Sequence, residues 1–288
     1  MPTFGAWPLR VLWLVLPVTA GPCLADALAR TGSSFQLVAS VGLWVLWAAA
    51  LVAMFIPLPV TLTIVRVVAP AAPFAAAWAA IAGADLDASC VVALVVTTLA
   101  AVASLLARTG DVFIDGASYG SERRFGLRPP APLLVGPIEL AWAAAVAGLT
   151  AGPLLLAAEN WWAGAVVLVL GLPIAVTALV VLHGLSQRWI VFVPAGLVLH
   201  DPMTLQDAVL VPTRSMRHLG ALPGRRSGRE ARPPTLGIAL EVELAEPVSV
   251  GVRRGEVTNA VDVERLAFSP SLPGRLLDEA RARQMPVA

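Results

Sequence analysis

The chain has 288 residues, 58% of them hydrophobic and 14% charged, with a formal net charge of +1. Soluble domains carry roughly 45–50% apolar and about 25% charged residues, so an ordinary water-soluble protein is excluded. The near-zero net charge also argues against a nucleic-acid partner, because a basic footprint would have to be local. All 20 basic residues are Arg, which with the Ala, Val, Gly and Pro bias suggests GC-rich coding and a bacterial source.

The charges are unevenly placed. Residues 1–187 hold seven Arg and eight acids, whereas residues 188–288 hold 13 Arg and 11 acids. The first part suits lipid and the second water. The expected fold is therefore an α-helical transmembrane bundle over 1–187, followed by a small, mainly β domain over 188–288 that ends in a helix.

A helix that crosses a bilayer needs about 20 mainly apolar residues. Six segments satisfy this, at residues 11–29, 37–56, 60–83, 88–107, 133–158 and 161–185. The first carries Arg10, an apolar run and Ala25-Asp26-Ala27, which imitate a secretory signal, yet the reading favours its retention as a helix. Pro70 and Pro73 predict a kink or break in the third. Cys23 and Cys90 have no metal-ligand spacing and read as buried free thiols; a bond between them would need two helices to bring them together.

One set of loops holds Arg10, Arg108, Arg123, Arg124, Arg128 and Arg188. The other holds Arg30 with Asp85, Asp87 and Glu159. The positive-inside rule then expects both termini in the cytoplasm of a multi-pass protein of the bacterial inner membrane.

Ionisable residues at membrane depth default to functional hypotheses. Arg66 and Glu139 each lie about six residues, roughly 9 Å, into their helices from the same side. They form a candidate ion pair with His183 as a neighbour. This intramembrane polar cluster would fix helix register or serve a polar relay.

Between the fourth and fifth helices, residues 108–132 make a long loop. It holds Asp111, Asp115, Tyr119, Glu122, Arg123 and Arg124 among Phe113, Ile114, Phe125 and Leu127. Loops of this length are functional or disordered, and the apolar residues argue for an ordered loop that docks a partner. Asp111 and Asp115 share one face if the segment is helical. Asp115-Gly116 resembles part of the metal site of CDP-alcohol phosphotransferases, but the four-residue spacing and the missing second acidic motif depart from it. No phosphate loop, zinc spacing or Ser-His-Asp arrangement occurs, so no metal or other cofactor is expected.

The tail reads as strands at 189–193, 197–200, 208–211, 215–219, 236–244 and 248–252, then a helix near 276–284. The runs Arg188-Trp189-Ile190-Val191-Phe192-Val193 and Gly196-Leu197-Val198-Leu199-His200-Asp201, followed by Val211-Pro212-Thr213-Arg214-Ser215-Met216-Arg217, resemble the bacterial pleckstrin-homology-like domain. The helical part resembles actinobacterial multi-pass membrane proteins of unknown function. The pleckstrin-homology-like domain would have seven strands, more than the tail displays. The resemblance implies a non-catalytic scaffold that docks a protein partner or anionic lipid. Arg225, Arg226, Arg229 and Arg232, in a Gly- and Pro-rich stretch at 220–235, are candidate lipid or partner contacts or simply a solvated loop, and Arg253-Arg254 at an expected hairpin tip carry the same two readings. Two further readings compete: a transporter or channel component using Arg66 and Glu139, and a membrane enzyme using Asp111, Asp115 and Glu122.

Overall fold

The computed structural model describes residues 3–83, 87–222, 230–231, 238–254 and 257–287. Arg225, Arg226, Arg229, Arg232 and Asp85 lie outside the described residues. The chain divides into two units, one of residues 1–113 with 139–182, the other of 114–138 with 183–288.

Five helices of the first unit are long and apolar enough to cross a membrane: α4 (Ser33–Phe55), α5 (Pro59–Ala82), α6 (Ala88–Leu105), α8 (Pro137–Ala157) and α9 (Trp161–Ser186). The first expected span is instead a chain of three short helices, α1 (Trp7–Leu14), α2 (Leu16–Thr19) and α3 (Gly21–Ala29). Pro17 and Pro22 fall at the starts of α2 and α3. Each lacks the N–H that would extend the preceding helix, so the path breaks twice.

This broken path is nevertheless packed. Trp13 and Trp47 each donate an indole N–H to the other's backbone carbonyl at 3.0 Å. Arg10 donates from Nε to the Met54 carbonyl at 3.0 Å, its guanidinium lying over the Trp7 and Phe55 rings. These contacts make α1 antiparallel to α4. Helices α5 and α6 pack together, and the buried faces of both are rich in small side chains, Ala69, Ala76 and Ala79 on one and Ala93, Ala100 and Ser104 on the other. Close backbone approach of this kind replaces the hydrophobic drive that lipid removes.

Two features depart from the sequence expectations. Of the kink or break expected at Pro70 and Pro73, the break does not occur: helix α5 runs unbroken through both, because neighbours in a membrane bundle can satisfy freed backbone groups. Beside the first of these prolines, the indole of Trp142 on α8 donates to the Val67 carbonyl at 3.0 Å. The cysteines are not free: Cys23 on α3 is bonded to Cys90 in the first turn of α6, with Cα atoms 5.0 Å apart. Their neighbours in sequence give no sign of pairing, which depends on how α3 lies against α6.

The second unit holds two four-stranded sheets. One has the order β1 (Arg123–Gly126), β2 (Trp189–Val193), β3 (Gly196–His200), β4 (Val209–Pro212), every neighbouring pair antiparallel. The other has the order β5 (Met216–Ala221), β7 (Leu240–Arg254), β8 (Val257–Phe268), β6 (Glu230–Ala231), with β6 parallel to β8. The two strands expected at 236–252 are one long strand, β7, whose register slips between Glu243 and Val248 around Pro247. Arg253 and Arg254 end β7, paired with Thr258 and Val257 of β8.

The core between the sheets is made by Phe125, Ile190, Phe192, Leu197, Leu219, Val242 and Leu266, among others. Helix α10 (Pro273–Ala282) adds Leu276 and Ala280, both fully buried. Arg188 and Asp201 extend the β2–β3 register by one pair and form a bidentate ion pair, both distances 2.7 Å, at 1% and 3% exposure. Arg188 also donates to the Arg128 carbonyl at 2.8 Å.

Candidate functional site

The 108–132 segment is ordered. After α6 the backbone turns extended at Leu106, and α7 (Ala107–Asp115) begins at once. The Thr109 hydroxyl spans the break by donating to the Ala103 carbonyl at 2.7 Å. Asp111 and Asp115 both lie on α7, four residues apart as one helix face requires. Asp111 is buried, as are Val112, Phe113 and Ile114, which follow it in sequence.

Asp115 anchors the chain beyond α7. Its Oδ2 accepts from Arg123 Nη1 at 2.6 Å, and its Oδ1 from the Ser118 hydroxyl at 3.0 Å and the Arg124 N–H at 3.1 Å. One carboxylate therefore ties the end of α7, the turn after it and the start of β1. Glu122 faces Arg124 at 3.4 Å. Arg283, beyond α10, closes on the Ser121 carbonyl while its Nε holds Glu279 at 2.8 Å. Gly120 takes a left-handed φ of 59°, which glycine adopts without steric cost. The resulting turn presents Tyr119 at 85% exposure.

Strand β1 then pairs with β2, setting Phe125 beside Ile190 in the core and Arg124 beside Val191 on the opposite face. On that opposite face the Arg124 guanidinium lies 5.6 Å from the Trp189 ring, and Trp189 stacks on His200 at 4.8 Å. Burial holds the His200 imidazole below its ordinary pKa; nearby Asp201 raises it and Arg124 lowers it further. The Arg–Trp–His stack is absent from the sequence expectations. Its signal is nonetheless present, since a two-residue turn at Pro194-Ala195 sets residue 189 opposite 200 and 188 opposite 201.

In the membrane unit, Arg66 of α5 lies against Gly110 of α7, where an added Cβ would stand 2.6 Å from Nη2. Arg66 Nε is buried and has no hydrogen-bond partner among the described residues. Glu139 is exposed in the first turn of α8, three residues before Trp142. The Trp142–Val67 bond thus sets α8 beside α5 at the level of Arg66. His183 lies 3.0 Å from Gln187, one turn on in the same stretch of chain. Among the described residues no group of three or more His, Cys, Asp or Glu is placed to hold a metal ion.

The chain matches no protein-family model, no curated protein and no solved structure.

Proposed function

We propose that this protein is a non-catalytic scaffold or accessory subunit of the bacterial inner membrane. Both termini lie in the cytoplasm, and a pleckstrin-homology-like domain with the 108–132 segment docks a protein partner. The observation that carries the reading is how the segment spends its charges. Asp115, Glu122, Arg123 and Arg124 are engaged with one another and with backbone, and what they hold outward is an exposed Tyr. Exposed aromatic side chains on ordered loops are favoured interface anchors. An enzyme using Asp111 and Asp115 would need carboxylates open to substrate, whereas Asp111 is buried and Asp115 accepts three hydrogen bonds.

Anionic lipid is the second partner class. Arg225, Arg226, Arg229 and Arg232 would each gain about 1 kcal/mol near an anionic leaflet. The transporter reading rests on one observation, the buried Arg66 Nε without a partner, and uses Arg66, Glu139 and His183.

Purification from native membranes in mild detergent, with mass spectrometry of what is retained, tests the scaffold. A defined protein partner is expected, lost from the Tyr119→Ala variant. A protein that purifies alone, and supports a flux in liposomes that Arg66→Gln abolishes, would replace the scaffold with the transporter.

A further inference from the structure

We infer that Cys23 and Cys90 are joined on the extracytoplasmic face of the membrane, so that the bond both staples the proline-broken N-terminal path into the bundle and reports the orientation of the whole chain. The inference deepens the proposed orientation, which rests on charge alone.

Its basis is the position of the pair along the helices. Arg10 and the end of α4 meet at one end of the bundle, through the Met54 carbonyl. Helix α5 leaves from that end, and α6 starts at the other with Asp87 as its cap, accepting from the Cys90 N–H at 2.9 Å. Eighteen residues later α6 ends beside Arg108, a rise of about 27 Å that is close to the hydrocarbon thickness. The disulfide therefore belongs to the end of the bundle that carries Arg30 and Asp87, away from Arg10 and Arg108. Disulfides persist on the oxidising side of a bacterial membrane and not in the cytosol. Charge bias and thiol chemistry, which share no physics, select the same side.

The bond also has work to do there. Pro17 and Pro22 each remove one backbone N–H from the helical ladder of Trp7–Ala29, and a link from α3 to α6 fastens the far end of that weakened stretch. Closing it joins the two Sγ atoms and passes two electrons to the disulfide of an extracytoplasmic thiol oxidoreductase, whose two sulfurs leave as thiols carrying the two protons.

The native chain contains only these two cysteines, so it can be tested without a cysteine-free background. Intact cells are treated with membrane-permeant N-ethylmaleimide, and the protein is then denatured, reduced and exposed to a polyethylene-glycol maleimide. The expected result is a gel shift of two adducts that requires reduction. In parallel, Tyr119→Cys should react with a sulfonated, impermeant maleimide only after permeabilisation. Thiols already blocked by N-ethylmaleimide, with position 119 protected, would overturn the disulfide and leave the orientation standing. A closed pair with position 119 labelled from outside would overturn the orientation and the assigned face together.

Discussion

Arg188 and Asp201 show how little a residue's class says about its task. Arg188 counts in the sequence as one more positive charge at the end of the last membrane-capable helix, yet its guanidinium is 1% exposed and held bidentately. Burial alone would raise the Asp201 carboxyl. The hydrogen bonds and charge of Arg188, with Thr204 and the Met203 N–H, outweigh burial and hold it below the ordinary Asp value. A carboxyl lowered in the folded state adds stability that is fully present above its unfolded pKa, about 3.9, and is lost as pH falls through the lower folded value. Guanidinium melts of the detergent-solubilised protein should therefore lose stability below about pH 4, and Asp201→Asn should flatten that dependence. The same substitution strands a buried guanidinium and should cost about 3–5 kcal/mol at neutral pH. Arg188→Met combined with Asp201→Leu should cost less than either alone, since no charge is then left unpaired. At Asp115 the expected effect is local: Asp115→Ala frees the 116–122 turn, and limited trypsinolysis after Arg123 and Arg124 should quicken while the global melt moves little.

At the level of elements, the apolar runs are legible because lipid imposes a length and a polarity that few residues can disguise. Helices α4, α5, α6, α8 and α9 fall within a few residues of the expected spans. The departures have physical causes. Strand β1 is a four-residue run, Arg123-Arg124-Phe125-Gly126, and its partner β2 lies more than 60 residues on, beyond two membrane helices. No local pattern marks such a pairing. Strand β8 alternates only in two halves, Val261 with Val263 and Leu266 with Phe268, and the phase changes where its pairing with β7 slips between Val263 and Arg265, so no single period marks it. The first span is divided into three short helices, a division hydropathy does not foresee because it does not register the two missing N–H groups at Pro17 and Pro22. Packing of α8 against α9 is equally invisible. A Cβ on Gly148 would stand 2.4 Å from the Gly171 carbonyl oxygen, and one on Gly152 would stand 2.8 Å from the Leu168 backbone. Because backbone cannot yield as a flexible side chain can, Gly148→Ala should cost about 1–3 kcal/mol, in the range of overpacking. Gly110→Ala, which meets only the tip of Arg66, should cost less. Thermal melts in one detergent will rank the two.

For the molecule as a whole, the division of charge at residue 187 locates the lipid-facing and water-facing parts, but the chain does not divide at one point. Residues 114–138 belong with the β sheets although they precede the last two membrane helices, so removing residues 188–288 would also strip β1 of its partner. The docking proposal is better probed by a single exposed position than by truncation. The candidate loop is legible as an ordered segment from its aromatic and aliphatic residues. The role of Asp115 as its anchor is not, because that role depends on Arg123 and Arg124 returning to it. Tyr119 lies at the centre of the functional account. A photo-crosslinking amino acid placed at 119 in native membranes should give one discrete adduct with a protein partner, absent when the same group replaces exposed Leu210 on β4. Equal, diffuse labelling at both positions, or no adduct at 119, would contradict the proposed scaffold.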